Sequence, residues 1–153
     1  MNIKLIPIAI AAALLFAGCK ETPSDTAEDV ADARTEARED STEARRDAAE
    51  AARDANRDVA QAGQAYGEDN AAARENLSEA EADAMRVKAR SAYDIAVTDA
   101  EGRHEIAKQK CDAMTGADKD ACVSAADAAL AADRANAIAN RDATLASADR
   151  PNN

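Results

Sequence analysis

The stretch AEDVADARTEAREDSTEARRDAAEAARDANRDVAQA, residues 27–62, decides the fold of this chain. It contains neither Gly nor Pro, and the strong helix formers Ala, Arg and Glu fill most of its positions. Small or apolar residues recur at spacings of three and four, as they do on one face of a helix. They are Ala27, Val30, Ala37, Ser41, Ala44, Ala48, Ala51, Ala55, Val59 and Ala62, with Arg34 interrupting the series. The stretch therefore predicts a single helix about 50 Å long.

An approximate repeat of eleven residues runs through the same stretch. Glu36, Asp47 and Asp58 align at this period, and so do three alanines. Eleven residues in three turns favour a nearly straight or weakly right-handed helix. Two interpretations remain open. In the first, the helix uses its alanine seam to form a coiled coil or to lie on a surface. In the second, it is a single solvated helix. Ion pairs worth about 0.2–0.5 kcal/mol each would hold the solvated helix, and an alanine seam would bury too little area for strong self-association.

Composition predicts long helices with little tertiary packing. Alanine makes up 44 of the 153 residues, so the hydrophobic fraction of 46% overstates the apolar surface available. After Cys19 there are eleven Leu, Ile and Val residues and no Phe or Trp. Chains below roughly 20% large apolar residues seldom build a core. We expect an all-α protein with little globular core and no enclosed active site.

Charge excludes one class of function. The net charge is −11 at pH 7, whereas nucleic-acid binding needs a basic footprint. The same net charge disfavours flat contact with anionic lipid.

The second half of the chain predicts two further helices. Gly63 to Asn70 resembles a hinge, and Asn70 can cap the next helix. The helix after it carries a richer apolar stripe, and Gly102 within it marks a close helix contact or a bend. The stripe comprises Leu77, Ala80, Ala84, Val87, Ser91, Ile95, Thr98, Gly102 and Ile106.

Two cysteines flank the following turn. Cys111 and Cys122 lie about equally far from Gly116, which can stop one helix, while Asp118 can cap the next. In an antiparallel helical hairpin such positions face each other, so we expect a disulfide between them. The spacing is not the Cys-x-x-Cys of redox catalysts. Two cysteines and His104 fall short of the four ligands of a zinc site, and His104 is expected to be a solvated helix residue.

The chain begins like an exported protein. Lys4 precedes an apolar run, residues 5–17, that is too short to span a bilayer and fits a removable secretory signal. Residues Lys20 to Thr26 are predicted to form a short tether. At its end, Asp25 and Glu28 have the spacing of a helix capping box.

The run Leu14-Leu15-Phe16-Ala17-Gly18-Cys19 resembles the lipobox of bacterial lipoproteins, with Phe16 where Leu is usual. The resemblance implies cleavage before Cys19 and its lipidation, with more than one acyl chain for stable anchoring. Lys20, rather than Asp, implies the outer membrane of a Gram-negative bacterium, facing the periplasm. Setting Cys19 aside leaves an even pair of cysteines, as an oxidising compartment favours. The alternative is an ordinary secreted protein with an incidental Cys19.

The segment from Lys108 to Ala125 resembles a group of small Ala-rich exported proteins of Gram-negative bacteria, labelled "TolA-like" from composition. That resemblance implies an envelope location and a helical, disulfide-bearing C-terminal part, and it implies no activity. The lipobox followed by a long Ala-rich helix is also similar to the major murein lipoprotein. Because the chain ends Arg150-Pro151-Asn152-Asn153 and not in Lys, attachment to peptidoglycan by that family's route is in doubt.

These inferences divide the chain into five segments. They are a signal peptide (1–18), a tether (19–26), an Ala/Arg/Glu-rich helix (27–66), a helical hairpin region with the cysteine pair (67–150) and a tail (151–153).

We expect a non-enzymatic lipoprotein that acts as a helical spacer, anchored in the membrane by its lipid. It would have no catalytic residues, cofactor or metal, and its helices could associate with an envelope protein or with each other. The alternative is a protein-binding module whose hairpin presents an apolar surface, since amphipathic helices are common recognition elements. A largely solvated, stress-protective chain is a third possibility. The surface of the binding module would comprise Tyr93, Ile95, Val97, Ile106 and Met114.

Overall fold

The structure is a computed structural model that describes residues 23–66 and 71–150. It contains three helices, α1 (Pro23–Tyr66), α2 (Ala71–Asp112) and α3 (Ala117–Ala148), and no strand occurs among the described residues. The predicted all-α fold with a disulfide-linked C-terminal hairpin is confirmed. Four predictions fall outside the described residues: the signal peptide, lipidation of Cys19, capping by Asn70 and the C-terminal tail.

Helix α1 begins at Pro23, so the predicted tether extends four residues too far. Proline is tolerated in the first turn of a helix because its missing N–H would have no intrahelical acceptor there. Asp25 therefore lies within the first turn rather than at the N-cap, where a carboxylate still interacts favourably with the helix dipole. At its other end α1 continues through Gly63 to Tyr66, beyond the predicted start of the hinge.

The turn between α2 and α3 also differs from the prediction. Helix α2 ends at Asp112, and Gly116 is the N-cap residue of α3 instead of the residue that stops α2. Its φ of 60° lies in the region that favours glycine. The carbonyl oxygen of Gly116 accepts the first helical hydrogen bond, from the backbone N–H of Asp120 at 3.2 Å. Asp118 lies within the first turn of α3, so its predicted role as a cap is wrong.

Helix α2 is the central element, and the other two helices pack on opposite sides of it. Both α1 and α3 contact α2, but within the described ranges they do not contact each other. Gly102 of α2 lies against Ala37 of α1, whereas Cys111 is bonded to α3. At about 100° per residue, Gly102 and Cys111 point in opposite directions from the α2 axis. The three helices therefore form a flat, antiparallel layer and not a closed bundle.

The side of α2 that faces α1 is the predicted apolar stripe. All nine predicted members are half-buried, from Leu77 to Ile106. On α1 the predicted face is shifted, since Ala27 is exposed while Thr26 and Ala33 are buried. Arg34 does not interrupt the contact between α1 and α2, because Ala33 is the buried residue in that turn and Arg34 is exposed. Helix α1 is thus packed along its length and is not a single solvated helix.

The side of α2 that faces α3 was not predicted. Its buried residues are Ala89, Ala100 and Cys111, spaced by eleven. Buried residues with the same spacing lie on α3: Ala126, Ala137 and Ala148. Because eleven residues make three turns, each series stays on one side of a straight helix. The spacing of eleven residues found in residues 27–62 thus also occurs between the buried residues where α2 packs against α3.

The core of this layer is thin. All nine buried hydrophobic residues have side chains no larger than that of Val, and seven are alanine: Val30, Ala33, Ala73, Ala89, Ala100, Cys111, Ala126, Ala137 and Ala148. The prediction of little globular core is confirmed.

Candidate functional surfaces

The predicted disulfide joins α2 to α3 next to their turn. The Cα atoms of Cys111 and Cys122 are 5.6 Å apart, within the usual range for a disulfide. The side chain of Cys111 is fully buried. Lys119 Nζ lies 2.7 Å from Asp112 Oδ1 and forms an ion pair across the same turn. The disulfide therefore joins the two helices beside their short loop, where there is little room for side chains to pack.

His104 is not the solvated residue that the sequence predicted. Its side chain is only 17% exposed, and its Nε2 lies 2.7 Å from Asp127 Oδ1 on α3. The described residues hold no group of three or more His, Cys, Asp or Glu side chains that could bind a metal ion. Through its contact with Asp127, His104 contributes to the packing of α2 against α3.

The five residues of the predicted partner surface are divided between different parts of the fold. Met114 is exposed in the turn. Tyr93 packs under Arg141 of α3, whose guanidinium carbon is 4.9 Å from the ring centroid. Ile95 and Ile106 are half-buried on the side of α2 that faces α1, and Val97 is half-buried one turn from Tyr93. Because α2 packs on both sides, these residues do not form one surface, and the prediction is wrong in this respect.

A flat layer has two open faces, and their charges differ. On α1, Arg34, Arg38 and Arg45 fall within one narrow sector at about 100° per residue. All twelve carboxylates of this helix fall on other sides of it. They are Asp25, Glu28, Asp29, Asp32, Glu36, Glu39, Asp40, Glu43, Asp47, Glu50, Asp54 and Asp58. Three of the six arginines of α1 are therefore separated from its carboxylates, whereas Arg46, Arg53 and Arg57 lie on the outer side of the helix beside carboxylates such as Glu39.

One face of the layer is strongly acidic. Two open grooves run between α1 and α2 on this face, with volumes of about 560 and 430 Å³, and small side chains form the floor of each. We call this side the acidic face, defined by the carboxylates that line the two grooves. They are Asp40, Glu43, Asp47, Asp54, Asp58, Glu79, Asp83, Asp94 and Glu101.

The opposite side is basic and partly apolar. We call it the basic face, and its six cations are Arg34, Arg38, Arg45, Lys88, Arg103 and Lys110, all exposed. Two of them form ion pairs across helices, Arg45 with Asp99 and Arg103 with Asp133, each at 2.9 Å. Between α2 and α3 the same side holds a groove of about 350 Å³. Its lining includes Met85, Lys88, Ala92 and Ala96.

Ion pairs also join α2 to α3 on the acidic side. Arg134 Nη2 lies 2.6 Å from Glu101 Oε1, and Arg86 Nη2 lies 2.7 Å from Asp149 Oδ1. Hydrogen bonds to Asp149 and then to Asp83 raise the pKa of Arg86 above its ordinary value. These groups are open to solvent, so each pair contributes little to the stability of the layer. They connect α2 to α3 at two positions along the hairpin.

The segregation of charge was missed in the sequence, although its signal is present there. Arg34 and Arg45 are eleven residues apart, as are Glu36, Asp47 and Asp58. Each series repeats after three turns and so stays on its own side of the helix. The repeat indicated a straight helix. It did not indicate which sides of α1 would stay exposed to solvent, because that depends on how α1 packs against α2.

The carboxylates that line the two grooves between α1 and α2 are all exposed to solvent.

None of the three helices is both long and apolar enough to cross a membrane.

Comparison with known proteins gives no match: no family model fits the chain, and neither a curated protein nor a solved structure is similar to it.

Proposed function

We propose that the protein is a non-enzymatic envelope lipoprotein, anchored through acyl chains on Cys19 and facing the periplasm from the outer membrane. In this role the three helices form a thin, stiff spacer. The observation that carries the proposal is the combination of the lipobox-like run ending at Cys19 with a flat layer of long helices. The 44 residues of α1 span about 66 Å, so one small chain covers a long distance.

The register of α1 on α2 indicates which end would be anchored. Thr26 lies eleven residues before Ala37, and Ala113 lies eleven residues after its partner Gly102. Both are therefore about 16 Å along the helices from that contact, at the end that carries the disulfide. Cys19 precedes Pro23 by four residues, which reach at most about 14 Å. An anchor at Cys19 would hold the disulfide end of the layer near the membrane.

The oxidised hairpin supports an exported location. Disulfides form and persist in oxidising compartments such as the bacterial periplasm. The alternative of a protein-binding module, presented by the C-terminal hairpin, has less support because four of its five proposed residues are half-buried within the layer.

The intact mass of the protein purified from a Gram-negative envelope tests the proposal. We expect a chain that starts at Cys19 and carries acyl groups, and we expect Cys19→Ser to abolish both acylation and recovery in the outer-membrane fraction. A chain that is cleaved elsewhere, or that is found unacylated in the soluble periplasmic fraction, would contradict the anchor.

A further inference from the structure

We infer that the basic face of the layer binds a bilayer surface rich in anionic lipid headgroups, with the acidic face turned away from it. The inference rests on the proposed envelope location, which supplies such a surface. In that arrangement the spacer lies along the membrane instead of projecting from it.

The net charge of −11 does not decide this interaction, because salt screens the distant charges. At physiological ionic strength the Debye length is about 8 Å. A helix with its side chains is roughly 10–12 Å across, so carboxylates on the far side lie more than a Debye length from a surface touching the basic face. On the basic face itself Asp99 and Asp133 pair with Arg45 and Arg103, and Glu81 falls on the same side of α2 at about 100° per residue. The six cations outnumber these three carboxylates, so the local field on this face favours anions.

The shape and the apolar groove favour a lipid surface. From Lys88 to Lys110 the cations of α2 extend over about 33 Å, and those of α1 lie beside them in the flat layer. A planar set of separated cations matches a planar array of headgroups better than it matches one compact ligand. The groove on the same face is lined mostly by apolar and small side chains, including Met85, which is 38% exposed. Cations beside apolar groups are typical of helices that bind at a bilayer interface.

Vesicle binding by the unacylated full chain tests this inference separately from the lipid anchor. All proteins carry Cys19→Ser, and the vesicles are pure phosphatidylcholine or an equimolar mixture with phosphatidylglycerol. We expect binding to the anionic vesicles, lowered about 10-fold by the double substitution Arg34→Gln and Arg38→Gln, since each cation near the surface contributes roughly 5-fold or less. This variant leaves the Arg45–Asp99 pair in place.

The matched control is the double substitution Arg46→Gln and Arg53→Gln, which removes the same charge from the outer side of the same helix. We expect it to leave vesicle binding nearly unchanged. Circular dichroism checks that both variants remain helical. Equal losses in the two variants, or no preference of the parent for anionic vesicles, would overturn the inference.

One further outcome would show that the basic face binds a protein and not lipid. If no protein binds the vesicles, but the Arg34/Arg38 variant alone loses a cross-link to a protein in the envelope, the basic face binds an acidic protein and the lipid assignment is wrong. Because Cys19 is absent from every sample, failure of the anchor cannot produce any of these results.

Discussion

A Cβ atom placed on Gly102 of α2 would lie 2.6 Å from the Cβ of Ala37 on α1. Real Cβ atoms do not approach so closely, so α1 and α2 can meet here only because Gly102 lacks a side chain. The sequence suggested a close contact or a bend at Gly102, and the structure shows the close contact. Without large apolar residues, helices gain contact area chiefly by bringing their backbones together.

The contact between Gly102 and Ala37 should not tolerate a side chain at position 102. Gly102→Ala should lower the free energy of unfolding by about 1–3 kcal/mol, because overpacking outweighs the gain in helix propensity of roughly 1 kcal/mol. Thermal unfolding followed by circular dichroism measures the change. Gly63→Ala is the matched control, since a Cβ at Gly63 meets nothing within 4 Å and should stabilise the same pair of helices. If both substitutions raise the melting temperature, the close approach is not a constraint.

The disulfide should account for a large part of the stability of the hairpin. Closing a loop of this length stabilises a protein by about 3 kcal/mol in the chain-entropy model, and the thin core between α2 and α3 offers little to replace it. Urea unfolding of the oxidised protein and of the Cys111→Ala/Cys122→Ala double variant should differ by roughly this amount. Reduction of the parent should reproduce the loss, whereas reduction of the double variant should change nothing. Equal stability of the oxidised parent and the double variant would contradict this role.

Alanine should be required at the buried positions between α2 and α3. Ala137 is 5% exposed, so Ala137→Leu should force the helices apart and cost about 1–3 kcal/mol. Ala135→Leu, two residues away on the exposed side of α3, should change stability by less than about 0.5 kcal/mol. Leucine and alanine have similar helix propensities, so unequal losses on urea unfolding would reflect packing. Equal effects would mean that the interface tolerates larger side chains.

Two arginines of α3 should differ in their contributions. Arg141 stacks on Tyr93 at 4.9 Å with its side chain 29% exposed, so Arg141→Gln should cost about 1 kcal/mol. Arg134 pairs with Glu101, but both side chains are about half exposed, so Arg134→Gln should cost at most about 0.5 kcal/mol. Chemical denaturation of both variants gives the comparison. A larger loss for Arg134→Gln would show that the ion pairs, rather than the ring contact, hold α3 in place.

The surface of α2 that packs on α1 could be predicted because it contains residues larger than alanine. Leu77, Val87, Ile95 and Ile106 contrast with the polar positions around them and reveal the helical period. The surface that packs on α3 contains Ala89 and Ala100, and alanines occur on every side of these helices. Apart from Tyr93, hydrophobicity therefore gave little contrast there, and spacing by eleven marked the buried alanines.

The sequence by itself determined that the chain is helical, that the helices are interrupted near Gly63 and near Gly116, and that Cys111 and Cys122 can join across the turn of a C-terminal hairpin. These properties depend on helix propensity, on breaks in periodicity and on distance along the chain, all of which are local. Only the tertiary structure decided that α1 and α3 pack on opposite sides of α2, since alanine surfaces permit contact in many directions. That arrangement leaves two open faces, and it places Arg34 and Arg38 on one and Asp40 and Glu43 on the other. A chain whose net charge is −11 thus acquires one face on which cations outnumber carboxylates and one face lined by carboxylates.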